Sequence, residues 1–86
     1  MIAAKVIDNI WSTRKDSRLN GMKLMLVEVL KAKGDPERII AVDQIGAGIG
    51  DRVIIVTGSS ARHQVSDVDA PVDAAVVGII DEECEF

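Results

Sequence analysis

The chain has 86 residues and a net charge of −4, which describes one small acidic domain spanning residues 1–86. A single cysteine, Cys84, excludes an internal disulfide and a cysteine zinc cluster, and a single histidine, His63, excludes most transition-metal sets. A chain this short hides only about 60–65% of its unfolded surface, so the aid still open to it is assembly with further subunits.

Residues 2–11 are rich in β-branched side chains without helical spacing and predict the first strand. Lys5 and Asp8 interrupt any signal-peptide or membrane-spanning run there, so a cytosolic chain is expected. Residues 12–21 are polar and read as a solvated connection ending at Asn20-Gly21, a turn signal. Residues 23–30 form a second strand, Gly34-Asp35-Pro36 a turn, and residues 39–43 a short third strand. A glycine-rich loop, Gly46-Ala47-Gly48-Ile49-Gly50-Asp51, leads into a fourth strand at residues 52–57. Residues 58–63 start a short helix with Ser59 or Ser60 as its N-cap. Residues 64–72 contain Pro71 and read as loop, residues 74–81 as the fifth strand, and the remainder as an acidic tail. Five strands with one short helix predict an all-β chain folded as a small barrel.

The strands are apolar on both sides. In the second, Met25, Val27 and Val29 oppose Leu24, Leu26 and Leu30, with Glu28 among the latter. The fourth sets Val53 and Ile55 against Ile54 and Val56, and the fifth sets Ala75, Val77 and Ile79 against Val76 and Ile80. A solvent-facing antiparallel strand alternates apolar with polar residues instead. One side lines a barrel, and the other needs a second cover, expected here from another copy of the chain. Each buried Val, Leu or Ile gains about 1.5–3 kcal/mol, so five or six of them exceed an association cost of at least about 4 kcal/mol. The alternative is that the chain's own loops fold back over these faces.

Chemical motifs are weak. Gly46, Gly48 and Gly50 lack the third glycine and following helix of a dinucleotide fingerprint, and no Gly-Lys-Ser/Thr is present, so the loop reads as a close-packed turn. Ser59, Ser60 and His63, with Asp67 or Asp69 as orienting acid, carry no spacing that marks a triad. Asp67, Asp69 and Asp73 lack the glycine and terminal glutamate of a calcium loop and read as solvated acids. Cys84 lies among carboxylates that disfavour a thiolate. Arg62 suits a salt bridge or an inter-subunit hydrogen bond rather than an anion clamp, and Trp11 a packing or interface anchor. Scattered Lys and Arg, with Trp11 and Phe86 as the sole aromatics, offer neither the basic groove nor the stacking platform that nucleic acid needs. No enzyme activity, cofactor, metal, nucleic acid or membrane partner is expected.

Taken in order, the chain resembles the bacterial microcompartment vertex proteins, the EutN/CcmL family of ethanolamine-utilisation compartments and carboxysomes. Thr13-Arg14-Lys15, Leu19-Asn20-Gly21-Met22-Lys23-Leu24 and Ala41-Val42-Asp43-Gln44-Ile45-Gly46-Ala47-Gly48-Ile49-Gly50-Asp51 carry the likeness. So do Gly58-Ser59-Ser60-Ala61-Arg62 and Pro71-Val72-Asp73-Ala74-Ala75-Val76-Val77-Gly78-Ile79-Ile80-Asp81. Asp8 departs from the pattern, where a small residue is expected, and bears on the twist of the first strand.

The resemblance implies an OB-like five-stranded barrel assembled as a closed homopentamer. It implies a structural shell protein that caps five-fold vertices beside hexameric shell proteins, in the shell of a cytoplasmic microcompartment. The competing reading is an OB-like binding module for a small ligand or nucleic acid. In the pentamer, Gly46, Ala47, Gly48, Ile49 and Gly50 are expected near the five-fold axis or at subunit contacts. Trp11, Met25, Val27, Ser59, Ser60 and Arg62 are expected at the subunit interface.

Overall fold

The computed structural model describes residues 1–65 and 69–85. Among these residues the chain forms β1 (Ile2–Ile10), β2 (Lys23–Val29), β3 (Arg38–Asp43), β4 (Arg52–Thr57), helix α1 (Ser59–Arg62) and β5 (Ala74–Ile79). The strands close a barrel in the order β1-β2-β3-β5-β4, with β4 returning to β1. All pairs are antiparallel except β3–β5, which is parallel and holds Val42 opposite Ala75 and Asp43 opposite Val76. The all-β barrel with one short helix agrees with the expectation from sequence.

Alternation decides what faces inward. Ala4, Val6, Met25, Val27, Ala41, Val53, Ile55 and Val76 meet inside the barrel, almost wholly removed from water. Met25 and Val27 are therefore core residues, which corrects the expectation that they line a subunit interface. The outward side of β2 is Leu24, Leu26 and Glu28, each half-buried.

Two irregularities break the alternation. The β1–β2 register shifts between Val6 and Asp8. The cause lies on the other edge of β1: Val6 N–H donates to the Asp51 carbonyl at 2.9 Å, and Gly50 N–H donates to the Val6 carbonyl at 2.9 Å. The end of the glycine loop thus prolongs the β4 ladder along β1 and leaves Ile7 as the extra residue toward β2. A second shift, between Ile54 and Ile55 on the β4–β5 ladder, makes Val77 an extra residue on β5. The two-sided reading of the fifth strand holds for Ala75 against Val76 and fails beyond Val77, where Gly78 opposes outward Ile54 and Ile79 opposes the core residue Val53, off Ala75's side.

Part of the outer wall is covered by the chain itself. Ala61 of α1, with Val65, Ala70 and Val72 after it, packs on Val42 and Ala75, flanked by Leu19, Met22, Leu24 and Val56. The expectation that a second copy supplies the whole outer cover is corrected accordingly. Arg18 ties the polar connection to this layer: its Nη1 donates to the Asp69 carbonyl at 2.7 Å, and its Nε and Nη2 donate to the Asp16 carboxylate. The Arg18 side chain and backbone N–H together hold the Asp16 carboxyl down to about 2.

Helix α1 is not capped by a serine. Its N-cap is Gly58, at φ 68° and ψ −145°, with no side-chain cap hydrogen bond. That backbone conformation is essentially reserved for glycine, so the sharp exit from β4 decides the helix start over serine propensity.

Candidate functional site

The glycine loop is organised by Asp43, whose side chain is completely removed from solvent at the end of β3. Asp43 Oδ1 accepts the Ile45 and Gly46 N–H groups at 2.9 and 3.1 Å, and Oδ2 accepts the buried Ala47 N–H at 2.8 Å. Lys23 Nζ donates to the Ala47 carbonyl at 3.0 Å and lies 3.8 Å from Asp43 Oδ2. Asp51 closes the far side, its Oδ2 accepting the Gly48 N–H at 2.8 Å.

Ala47 is buried in the barrel core, while Gly46, Gly48 and Gly50 are exposed. Space is not what selects the glycines. A Cβ at Gly46 or Gly50 meets nothing within 4 Å, but their φ angles are +101° and +92°. Gly48 has no positive φ. The reading of a close-packed turn is corrected: the loop is stiff because one carboxylate holds it, and it is glycine-rich because two positions need left-handed backbone. Ile45 and Ile49 project from this stiff loop, 52% and 61% exposed. Asp43 escaped notice in the sequence because it reads as an ordinary strand end. Its signal is an acid two to four residues before successive backbone donors in a Gly-x-Gly turn.

Trp11 lies just past β1, 89% exposed, over a groove of about 430 Å³ lined by Asn9, Ile10, Lys15, Met22, Lys23 and Leu24. Lys23 joins this groove to the glycine loop at the same end of the barrel. Ser59 and Ser60 are exposed on the first turn of α1, with Arg62 half-buried and His63 exposed. These residues sit against β4 and β5, on a different part of the wall. Asp67 and Phe86 lie outside the described residues. Asp69 and Asp73 are exposed, and Cys84 is an exposed free thiol. Among the described residues no three His, Cys, Asp or Glu side chains converge as metal ligands, and no helix is long and apolar enough to cross a membrane.

What the outer wall does carry is apolar surface. Ile40 is 51% exposed beside its cross-strand partner Leu26. Leu30 is exposed next to Ala3, whose partner on β4 is Ile54.

A family profile described as "Ethanolamine utilisation protein EutN/carboxysome" matches residues 1–81. The chain belongs to the EutN/CcmL family. Within the family it is 47% identical over 83 residues to the carboxysome shell vertex protein CcmL of Synechocystis sp., covering 94% of this chain and 83% of that one. Its fold matches a solved ethanolamine utilization protein EutN with a TM-score of 0.86, at 39% identity, over 99% of this chain and 91% of that one. It also matches the GrpN pentameric microcompartment shell protein of Rhodospirillum rubrum, with a TM-score of 0.83, 42% identity and 94% coverage of each chain. The EutN/CcmL resemblance read from the ordered motifs is thereby borne out.

Proposed function

We propose that this protein is a structural subunit that closes into a ring of five and caps the five-fold vertices of a polyhedral bacterial microcompartment shell. The observation that carries it is the near full-length match, in sequence and in fold, to shell vertex proteins and a pentameric shell protein. The geometry supports the same role. A sheet of hexagonal tiles closes only where five-fold points interrupt it, and a compact wedge of five copies supplies them.

The role needs no chemistry, and the subunit acts by packing rather than by catalysis. Its partners are its own copies and hexameric shell proteins, within a compartment in the cytoplasm. The glycine loop, held rigid by Asp43 and tipped with Ile45 and Ile49, serves as a contact surface of the assembled shell or borders the five-fold axis. Trp11, Ser59 and Ser60 are exposed and Arg62 half-buried, which supports their facing neighbours in the same assembly.

Gel filtration with light scattering tests this reading. The expected mass is that of five subunits, unchanged on moderate dilution. A stable, well-folded lone subunit overturns it.

A further inference from the structure

A ring of five cannot use self-matching contacts. Each subunit must offer two different faces, one meeting the other on the next copy. The outer wall holds two such faces, separated by a charged row.

The row runs across four strands in register: Arg38 opposite Glu28, Glu28 opposite Lys5, and Lys5 opposite Arg52. On one side of it lie Leu26 and Ile40, direct cross-strand partners. On the other lie Leu30, Ala3, Ile54 and Gly78, where Ala3 opposes Ile54 and Ile54 opposes Gly78.

The two faces differ in shape. Ile40 stands between grooves of about 680 and 250 Å³. The Ala3–Ile54–Gly78 row is flat at its two ends, with Ile54 raised between them. Gly78 follows the bulge at Val77, yet neither backbone angle nor space holds it to glycine. Its φ is not positive, and a Cβ there would meet Ile54 Cδ1 at an ordinary 3.5 Å. A strand glycine marks a bulge or a close approach from outside, and Gly78 lies outward beside Ile54.

Charge separates the faces in part. The Leu26–Ile40 face carries Asp8, opposite Leu26, beside the Arg38–Glu28 ion pair of the row. The Ala3–Ile54 face is flanked by cations, Lys5 and Arg52, themselves cross-strand partners. Arg52 also donates to the Asp81 carbonyl.

Resting on the five-membered ring proposed above, we infer that the Leu26–Ile40 face of one copy docks on the Ala3–Ile54–Gly78 face of the next. Ile40 seats over the flat ground at Ala3 and Gly78, and Ile54 enters the groove beside Ile40. Asp8 of one copy meets the Lys5 and Arg52 flank of its neighbour.

Chemical cross-linking tests the pairing in the full chain carrying Cys84→Ser. Ile40→Cys combined with Ala3→Cys, treated with a short bismaleimide, should give a denaturing-gel ladder from one to five subunits. Each single-cysteine variant should give none. Five-subunit mass in light scattering without a ladder overturns the pairing while the ring stands, whereas a lone-subunit mass for the unsubstituted protein overturns the ring. Gly78→Leu is the independent check. It should leave the far-UV circular dichroism unchanged while the five-subunit mass falls to one, and a persistent ring of Gly78→Leu subunits refutes the proposal.

Discussion

Replacing Asp43 by alanine isolates the group that holds the glycine loop. Its carboxylate accepts three backbone N–H groups, and the side chain has no contact with solvent. A hydrogen bond to a charged acceptor nets about 1.5–3 kcal/mol, and a buried donor left alone costs about 1–3 kcal/mol. The Ala47 donor is buried and bears the full cost, whereas the Ile45 and Gly46 donors are part-buried and regain water. Lys23 is 47% exposed and 3.8 Å away, so its attraction is screened and adds little. The expected loss for Asp43→Ala is about 2–4 kcal/mol, and for Asp43→Asn, which keeps one acceptor oxygen, about half that. Domains of this size are stable by about 4–13 kcal/mol, so the alanine variant forfeits a measurable share of the total. Urea denaturation followed by circular dichroism measures it, at one fixed subunit concentration because assembly couples stability to mass action. A loss below about 0.5 kcal/mol, the range of an indifferent surface change, refutes the assignment of the loop's rigidity to this carboxylate.

The same loop separates conformation from space: Gly46→Ala and Gly50→Ala should each cost about 1–2 kcal/mol from left-handed strain, and Gly48→Ala should fall within about 0.5 kcal/mol of the parent in the same assay. In the barrel centre, Ile55→Ala should cost about 2–5 kcal/mol, because its side chain is fully buried and the cavity cannot collapse within a closed sheet. The Asp16 carboxyl is held down to about 2 by Arg18, so its contribution is complete above its ordinary value of 3.8 and is lost as pH falls through about 2. An NMR titration of the Asp16 carboxyl should give a midpoint near the lower value, returning to the ordinary one in Arg18→Ala.

The strands were legible because their apolar runs are bounded by glycine and polar turns, and residues 52–57 matched the observed β4 at both ends. Which side of a strand faces inward was not legible where both sides are apolar. Met25 and Leu24 differ too little in hydrophobicity to settle the choice, and Met25 enters the core because of pairings with β1 and β3 remote in sequence. The bulge at Ile7 was hidden for the same reason, since residues 50 and 51, remote in sequence, impose it from the other edge of β1. At Gly58 a local rule failed, because the turn out of β4 demanded an angle that serine does not adopt. Trp11 was expected to end the first strand, yet the strand stops at Ile10 and leaves the indole in solvent. The ring of five followed from the ordered motifs of the family rather than from hydrophobic pattern, which cannot count subunits.

The charged row bears on why the ring closes. An uninterrupted apolar wall over β1, β2, β3 and β4 would match itself, and self-matching patches favour two-fold pairs or open-ended stacks over a ring. Arg38, Glu28, Lys5 and Arg52 divide that wall, and the Arg38 Nε–Glu28 Oε1 bond of 3.2 Å fixes part of the divide in place. Exposed pairs of this kind are worth at most about 1 kcal/mol in stability, so the row's value lies in excluding wrong contacts. Glu28→Leu combined with Lys5→Leu should therefore leave the barrel's circular dichroism intact and disturb closure. Light scattering should show the single five-subunit mass replaced by a broad distribution including dimers and larger species. A double variant that still assembles cleanly into rings of five would mean that shape alone selects the partner face.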